Sequence, residues 1–306
     1  MKGTVSCVVL GLTQTAQAWW ANGHMIVAQI ALDEMQQRAP HVKARAERLL
    51  TALSNSKWED QRPFVEAATF PDKWKHYGYQ EYLLESEVTV QDHWHYTDIP
   101  YFNGIPQQDI KIDEVNVVNA ISKLKVALAN PADTDDVASY QLRCLIHYVG
   151  DVHQPLHATS MYSSDFPEGD RGGNSFTLDE HQGVENLHAL WDSAVLSYPN
   201  DWQQPLSNED LANVEKAATE IRNTFTRGRL FLTSKDPAHW AKESNDACTS
   251  FVYQGVQIDS WPNDQYIHIG QMLAKQRLAY AGYRLADLLM EIWGNNTPKE
   301  ATKFLW

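Results

Sequence analysis

Apolar residues recur at three- and four-residue spacing along most of the chain, which is the pattern of helices that bury one face. In the longest such stretch, Leu278, Leu285 and Leu289 fall on one broad apolar face. Two-residue alternation is rare, and its clearest example is the short segment 175–178, Ser-Phe-Thr-Leu. The spacing therefore predicts helices over 24–38, 41–53, 115–129, 137–150, 210–231 and 265–293.

Pro and Gly cluster at 100–106 and 163–173, which predicts irregular loops in both segments. The sequence holds no internal repeat and no linker-like stretch, and 43% of its 306 residues are hydrophobic. A chain of this length and composition can bury a sizeable core. We therefore expect a mostly-α, single-domain fold with very little β-structure.

Residues 1–18 have the organisation of a signal peptide. Lys2 is followed by a short apolar core at 5–12 and then by Ala-Gln-Ala at 16–18, a small-x-small pattern after which signal peptidase cuts. The alternative, a buried first helix, fits less well because glycines interrupt the segment. The pattern predicts that the domain spans 19–306, with Trp19 at its N-terminus, and that the protein is secreted or periplasmic.

Acidic side chains outnumber basic ones by 39 to 25, for a formal net charge of −14. A protein that binds duplex DNA through a broad basic face would not have this balance. A nucleic-acid partner would have to be held locally, by base stacking or by bound cations. Because no apolar run approaches the ~18–20 residues of a membrane span, we expect no membrane insertion. Nothing in the sequence implies a protein partner.

Two cysteines, Cys144 and Cys248, remain after removal of the first eighteen residues. They permit one disulfide, which the sequence leaves open. Cys144 lies three residues before His147, so it could be a thiolate ligand, but the sequence favours a small buried apolar residue.

Histidine is abundant, with 12 residues, and several lie at fixed distances from aspartates. His147 and Asp151 are four residues apart, as are His188 and Asp192, so each pair projects from one face of a helix. His157 follows soon after the first pair. A single pair of this kind is usually a surface interaction, but both pairs lie among apolar residues, where a metal would satisfy their charges. Imidazole and carboxylate are ordinary zinc ligands, so the sequence predicts zinc.

Three further segments offer ligands of the same types. After cleavage, Trp19 would expose its α-amine and carbonyl five residues before His24. Asp72 follows Pro71, and His95 belongs to a His-Trp-His segment. Each has an alternative role, since Asp72 could serve the first turn of a helix and His24 could be a core imidazole. Together they extend the predicted metal site.

Six motifs occur in a fixed order along the chain. They are Trp-x4-His at 19–24, Pro-Asp-x-x-Lys at 71–75, His-Tyr-x-Asp at 95–98, His-x3-Asp-x5-His at 147–157, Gly-Gly-Asn at 172–174 and Asn-Leu-His-x3-Asp at 186–192. In this order the chain resembles the zinc-dependent class I nucleases. These are the fungal single-strand nucleases, the plant bifunctional nucleases and the trypanosomatid 3′-nucleotidase/nucleases, with the bacterial zinc phospholipases C as cousins.

The resemblance implies three zinc ions, with a ligand of the matching type at every position. Zinc would activate the attacking water and stabilise the departing 3′-oxygen. It would also bring positive charge to the cleft of an acidic protein. By this resemblance the first ion would bind Asp72, His95, His147 and Asp151, the second the amine and carbonyl of Trp19 with His24 and Asp151, and the third His157, His188 and Asp192.

The resemblance also implies roles beyond the metal ligands. Asp72 would orient the attacking water, and Lys75 would neutralise charge on the phosphate oxygens. Tyr96 would stack on a base while Asp98 accepts a hydrogen bond from the base edge, which favours single strands. Asn174 would contact the phosphate or the leaving group. As alternatives, Tyr96 could fill the core and Asn174 could stabilise its own turn.

The activity that the resemblance implies is hydrolysis of single-stranded RNA and DNA to 5′-phosphorylated products, together with removal of phosphate from 3′-nucleotides. Two alternatives remain, a zinc phospholipase C and a non-enzymatic exported zinc-binding protein. Against the first, His24 lies only five residues after Trp19, and Asp192 stands where the phospholipases use Glu. Against the second, Asp72 and Tyr96 would have roles that zinc storage does not need.

Overall fold

Helices form most of the chain between residues 19 and 294. The computed structural model describes residues 19–52, 63–73, 91–198, 202 and 204–294. In chain order the helices in these ranges are α1 (Ala21–Arg38), α2 (Pro40–Leu50), α3 (Pro63–Glu66), α4 (Phe70–Lys73), α5 (Val117–Leu128), α6 (Asp135–Asp151), α7 (Leu187–Asp192), α8 (Asn208–Thr224), α9 (Pro237–Ala247) and α10 (Asp264–Trp293).

Helix α1 lies at the centre of the core. Its residues from Asn22 to Ala31 are buried on every face, as expected for a helix with neighbours all round. The helices α3, α6, α8 and α10 pack against it. Gly282 of α10 comes so close that a Cβ there would lie 2.5 Å from the Cβ of Ile30. This packing brings the N-terminal turns of α1, which carry His24, close to α6.

Helix α8 is shorter than the pattern predicts. The expected helix runs to residue 231, whereas α8 ends at Thr224. Thr226 is extended, and a separate 3₁₀ turn follows at Arg227–Arg229. Gly228 lies in that turn, and a glycine there weakens any continuation of the helix. The apolar spacing therefore continues past the point where the backbone stops being helical.

Helix α9 was not predicted, although its start carries two ordinary signals. Asp236 accepts a hydrogen bond from the backbone N–H of Ala238, and Pro237 occupies the first helical position. The other predicted helices are present with small differences at their ends. The mostly-α, single-domain fold is confirmed. None of the described helices combines the length and apolar character that crossing a bilayer needs.

Two short two-stranded sheets lie among the described residues. The parallel sheet pairs β1 (Pro100–Phe102) with β2 (Ser160–Tyr162), and the antiparallel sheet pairs β3 (Thr177–His181) with β4 (Val184–Asn186). The strand predicted at 175–178 is present from Thr177 onward. The loop predicted at 100–106 is wrong for its first three residues, because they pair with a segment sixty residues away in the chain. The predicted loop 163–173 has no regular structure.

Candidate metal centre

The last turn of α6 carries the first predicted His–Asp pair. His147 and Asp151 are fully buried and share one helix face, with His147 Nε2 3.3 Å from Asp151 Oδ2. The other ring nitrogen of His147, Nδ1, lies 2.6 Å from the backbone carbonyl of Ala68, in the 3₁₀ turn that leads into α4. Since that carbonyl accepts the Nδ1 proton, the neutral ring presents an electron pair at Nε2.

His95 and Asp72 approach this pair from two other segments. His95 ends the 3₁₀ turn His93–His95, and its Nδ1 lies 2.9 Å from Asp151 Oδ2 and 3.1 Å from His147 Nε2. Asp72, in α4, places its Oδ1 3.6 Å from His147 Nε2 and 3.8 Å from His95 Nδ1. Two imidazoles and two carboxylates from three elements therefore meet at one point.

His24 completes this side of the centre from α1. Its Nε2 lies 3.2 Å from Asp151 Oδ1, and its ring stacks on that of His147 with centroids 3.9 Å apart. Trp19 is fully buried, and its indole N–H donates to the carbonyl of Gly150 at 3.0 Å. Residue 19 is thus held against the helix turn that carries Asp151. Residues 1–18 lie outside the described residues, so cleavage before Trp19 remains a prediction.

The second predicted pair forms a neighbouring group with His157. Helix α7 starts at the Asn186 cap and places His188 Nε2 3.2 Å from Asp192 Oδ2. His157 Nε2 lies 3.7 Å from Asp192 Oδ1. The Nδ1 atoms of His157 and His188 face the carbonyls of His95 and Gly172 at 2.7 and 2.6 Å. Both rings are therefore oriented as His147 is, with Nε2 toward a carboxylate.

The donor set fits metal ions. In the part of the chain that the structure describes, potential ligand atoms form three groups in which all atoms lie within 4.8 Å of one another. Ligand atoms about 2.0–2.2 Å from one tetrahedral zinc are separated by about 3.3–3.5 Å, close to the nitrogen–oxygen distances above. Among the described residues, neither buried ring nitrogen of His24 makes a hydrogen bond. The groups are His24, Asp72 and His147; His95, His147 and Asp151; and His157, His188 and Asp192.

Burial disfavours the charged forms of these side chains. It is the main cause that holds the pKa of His24 well below its usual value, and repulsion from His147 adds to it. Burial raises the pKa of Asp192 well above its usual value, although a hydrogen bond from Gln154 Nε2 to Oδ1, at 2.7 Å, partly offsets this. A bound cation would favour the ionised carboxylate and the neutral imidazole at the same time.

A pocket adjoins the second group and contains the three predicted substrate-binding residues. Tyr96, Asp98 and Asn174 line it as half-buried side chains, and His157 and His188 line it as buried ones. The cleft is open to solvent, and its volume including that open space is about 460 Å³. The structure thus brings the predicted metal and substrate residues together.

A local hydrogen bond and burial affect these three pocket residues. Asn174 Nδ2 donates to the carbonyl of Arg171 at 2.8 Å, so the alternative turn-stabilising role is present as well. Burial raises the pKa of Tyr96 to about 12, which keeps its hydroxyl neutral. Burial also raises the pKa of Asp98 to about 6, with repulsion from Asp170 as a further cause. Lys75 lies outside the described residues.

The cysteines are not bridged. Cys144 and Cys248 are both buried and free. Burial raises the pKa of the Cys144 thiol to about 12, and Cys144 belongs to none of the three ligand groups. It is therefore a small buried core residue, the interpretation that the sequence favoured over a thiolate ligand.

Two residues at the site were missed by the sequence analysis. Gln154 hydrogen-bonds Asp192, and Arg171 lines the pocket. Each had a signal in its position, since Gln154 lies between Asp151 and His157 and Arg171 directly precedes the Gly-Gly-Asn motif. Neither residue type is diagnostic of a metal or phosphate site, so spacing alone could not assign them.

Comparison with known proteins shows several relatives of similar length. Endonuclease 4 of Arabidopsis thaliana is 27% identical, with 96% of each chain covered. Nuclease S1 of Aspergillus oryzae is 24% identical over 93% of this chain and 95% of its own. Nuclease P1 of Penicillium citrinum is 23% identical over 92% of this chain and the whole of its own length.

The sequence model of one protein family also matches this chain. That family is described as S1/P1 Nuclease, and the match covers residues 19–294. These limits contain every described residue of the metal centre and of the pocket. Because the match extends over nearly the whole chain, the protein belongs to the S1/P1 nuclease family.

Proposed function

We propose that the protein is an exported zinc-dependent phosphodiesterase that cleaves single-stranded RNA and DNA to 5′-phosphorylated products and also removes phosphate from 3′-nucleotides. The observation that carries the proposal is the convergence of His and Asp side chains from six separate elements beside a pocket, in a chain of a nuclease family. The names of the relatives, endonuclease and nuclease, support the same class of reaction.

In this proposal the ligand groups hold three zinc ions. Asp72, His95, His147 and Asp151 would hold one ion, the amine and carbonyl of Trp19 with His24 and Asp151 would hold another, and His157, His188 and Asp192 would hold the third. The distances among these side chains and the orientation of their imidazoles support the assignment. The amine of Trp19 requires removal of 1–18, so export and metal binding depend on each other.

The residues of the chain would bind and orient the substrate. When bound, the metal ions would activate water and offset negative charge on phosphate. Asp72, at the edge of the ligand group, would accept a hydrogen bond from the attacking water and orient it. Tyr96 would stack on an unpaired base and Asp98 would accept from its edge, which excludes bases locked in a duplex. Lys75 and Asn174 would contact phosphate oxygens.

A single preparation tests this proposal. Mass spectrometry of the mature chain should give Trp19 as its first residue, and metal analysis should give close to three zinc ions per chain. The same sample should hydrolyse single-stranded RNA, single-stranded DNA and a 3′-mononucleotide, and hardly any duplex. His188→Asn should abolish hydrolysis, while His268→Asn, which changes an exposed histidine outside the site, should have no effect.

The alternatives have distinct outcomes in this experiment. Faster hydrolysis of phosphatidylcholine vesicles than of any polynucleotide would identify a phospholipase C. Three zinc ions with no hydrolysis of any of these substrates would identify a binding protein. A chain that begins elsewhere than at Trp19 and still binds three zinc ions would contradict the amine ligand.

A further inference from the structure

The turn that leads into the Gly-Gly-Asn motif has an unusual backbone. Arg171, Gly172 and Gly173 are consecutive residues with φ of 58°, 64° and 80°. Gly172 is required there, because a Cβ would lie 2.6 Å from the carbonyl oxygen of Leu156. Arg171 has a Cβ, and the left-handed conformation is strained for such a residue. Strain of this kind at a pocket is a reason to look for a function.

A buried carboxylate holds the turn in place. Asp170 is fully buried, and its Oδ1 accepts from the backbone N–H of Met161 at 2.8 Å while its Oδ2 accepts from the Tyr253 hydroxyl at 2.7 Å. Burial raises the pKa of Asp170, and the nearby backbone N–H groups of Gly172 and Gly173 partly offset this. The conformation at Arg171 is therefore imposed from within the core, and the Arg171 side chain is left exposed on the pocket wall.

The position of Arg171 relative to the metal centre defines what it can reach. His157 and His188 line the pocket as buried side chains, whereas Arg171 lines it as an exposed one and lies close enough to Asp98 to influence that carboxyl. Among the described residues that line the pocket, Arg171 is the one with a permanent positive charge. Its planar guanidinium suits bidentate contact with a phosphate.

We propose that Arg171 binds the phosphate on the 5′ side of the nucleotide whose base occupies the pocket, and so determines the preference for strands over 3′-mononucleotides. This inference rests on the proposed function. The 3′- and 5′-oxygens leave opposite sides of the ribose, so a nucleotide that points its 3′-oxygen toward the buried histidines would direct its 5′-oxygen away from them, toward the exposed side of the pocket where Arg171 lies. A nucleoside 3′-monophosphate has no phosphate there, whereas every internal nucleotide of a strand does.

Two small substrates isolate that contact. Adenosine 3′,5′-bisphosphate differs from adenosine 3′-monophosphate only by the 5′-phosphate. Arg171→Asn removes the cation while keeping a residue that tolerates the left-handed backbone, and Arg171→Lys keeps the charge. Arg229→Asn is the matched control, because Arg229 is exposed and is not among the residues lining the pocket.

The expected result is a selective loss. Arg171→Asn should lower kcat/KM for the bisphosphate by about tenfold, mainly through KM, and should leave the 3′-monophosphate within about twofold. Arg171→Lys should fall between, and Arg229→Asn should match the wild type. Binding of the zinc-loaded proteins to a single strand with uncleavable 3′-methylenephosphonate linkages should show a salt dependence of log Kd that is weaker by about 0.7 in Arg171→Asn.

The outcomes separate this inference from the proposed function. If the wild type hydrolyses both substrates and Arg171→Asn changes both equally or neither, Arg171 has no 5′-phosphate role while the nuclease assignment stands. If the wild type hydrolyses neither, the proposed function fails, and the salt dependence of binding alone decides on Arg171. If Arg171→Asn lowers the unfolding temperature, Arg171→Lys, which keeps the charge, is compared with the wild type instead. A loss of kcat/KM for the bisphosphate alone would then support the 5′-phosphate contact, and equal changes for both substrates would contradict it.

Discussion

Two clusters of ionisable residues each include residues of the segment 151–157, and they differ in the source of their positive charge. The arginine cluster contains His153, Glu243, Arg277 and Arg284. The ligand cluster contains His24, Asp72, His95, His147, Asp151, His157, His188 and Asp192. Each cluster places a buried imidazole near a carboxylate, half-buried in the case of Glu243, so residue type alone does not distinguish them.

In the arginine cluster the chain supplies its own cations. Arg284 donates to both carboxylate oxygens of Glu243, at 2.6 and 2.8 Å, and also to His153 Nε2 at 2.9 Å. Burial alone would raise the pKa of Glu243, but Arg284 and Arg277 outweigh it and hold the pKa below its usual value. Burial, with repulsion from the two arginines, lowers the pKa of His153 and keeps its ring neutral.

In the ligand cluster the imidazoles face carboxylates. His188 directs its Nδ1 to the carbonyl of Gly172 and turns Nε2 toward Asp192 at 3.2 Å. A neutral ring in this orientation presents an electron pair to a carboxylate, and a bound cation between them would relieve the repulsion. The group opposite the second ring nitrogen therefore separates a structural histidine from a candidate ligand. It is a guanidinium at His153 and a carboxylate at His188.

Metal removal should give the largest difference between the two clusters. Structural zinc contributes on the order of 10 kcal/mol of apparent binding free energy in small domains. Chelation should therefore abolish hydrolysis and lower the unfolding temperature by more than about 10 °C, and added zinc should restore both. The measurements are calorimetry and rate assays on one dialysed sample. Equal unfolding temperatures with and without metal would mean that the ligand cluster is satisfied by the protein itself.

Breaking the arginine cluster should destabilise the protein without removing metal. Glu243→Gln leaves two buried guanidiniums without their carboxylate, at a cost of about 3 kcal/mol in unfolding free energy. Urea denaturation of the zinc-saturated variant measures this cost, and metal analysis should give the wild-type zinc content. The matched control is Glu215→Gln, an exposed residue of α8. Loss of zinc from Glu243→Gln would show that the two clusters are not independent.

The stability that Glu243 contributes through its arginine partners depends on pH, and the sign of this dependence is defined. Because the folded-state pKa of Glu243 is below the unfolded value, its contribution to stability is present above about pH 4.3. The contribution is lost as the pH falls through the folded-state pKa. Glu243→Gln should accordingly flatten the acid limb of the stability curve.

A smaller effect is expected at Gln154, which orients a ligand of the second group. Gln154→Leu removes the hydrogen bond to Asp192 Oδ1, and loss of such partners weakens metal binding about 10–100-fold. Competition with a zinc chelator measures the affinity, and full zinc content should return at high zinc concentration. Gln141→Leu is the control, since Gln141 donates to the carboxylate of Asp133 at 2.8 Å and both residues are half-buried and outside the ligand groups. Gln154 Oε1 also accepts a hydrogen bond from the backbone N–H of Leu156 at 2.6 Å. Unchanged zinc affinity in Gln154→Leu would mean that Gln154 stabilises only that turn.

The sequence could predict the parts of the site that depend on local spacing. His147 and Asp151 must share a face once α6 forms, and the same holds for His188 and Asp192 in α7. The fold class followed from apolar periodicity for the same reason. Resemblance to a family added the residues from other segments, such as His24, whose approach to Asp151 depends on how α1 packs against α6.

The parts that escaped prediction depend on tertiary contacts. Glu243 lies in α9, a helix that the apolar spacing did not predict, and its partner Arg284 lies forty-one residues away. Asp170 controls the backbone of Arg171 through Met161 and Tyr253, which come from distant segments. Periodicity describes which face of an element is buried, but it does not identify the polar partner on the opposite element.

Asp98 provides the mildest test, because it belongs to neither cluster. Burial and the nearby Asp170 raise its pKa to about 6, and attraction from His93 and Arg171 only partly offsets them. If the ionised carboxylate accepts from the base edge, KM should rise several-fold as the pH falls from 7 to 5, and Asp98→Asn should remove that rise. The measurement is KM for a 3′-mononucleotide at saturating zinc. Ribose 3-phosphate, which has no base, is the control. A KM that rises equally for both substrates would place the titrating group in the ligand cluster, where falling pH weakens metal binding, and would remove Asp98 from base recognition.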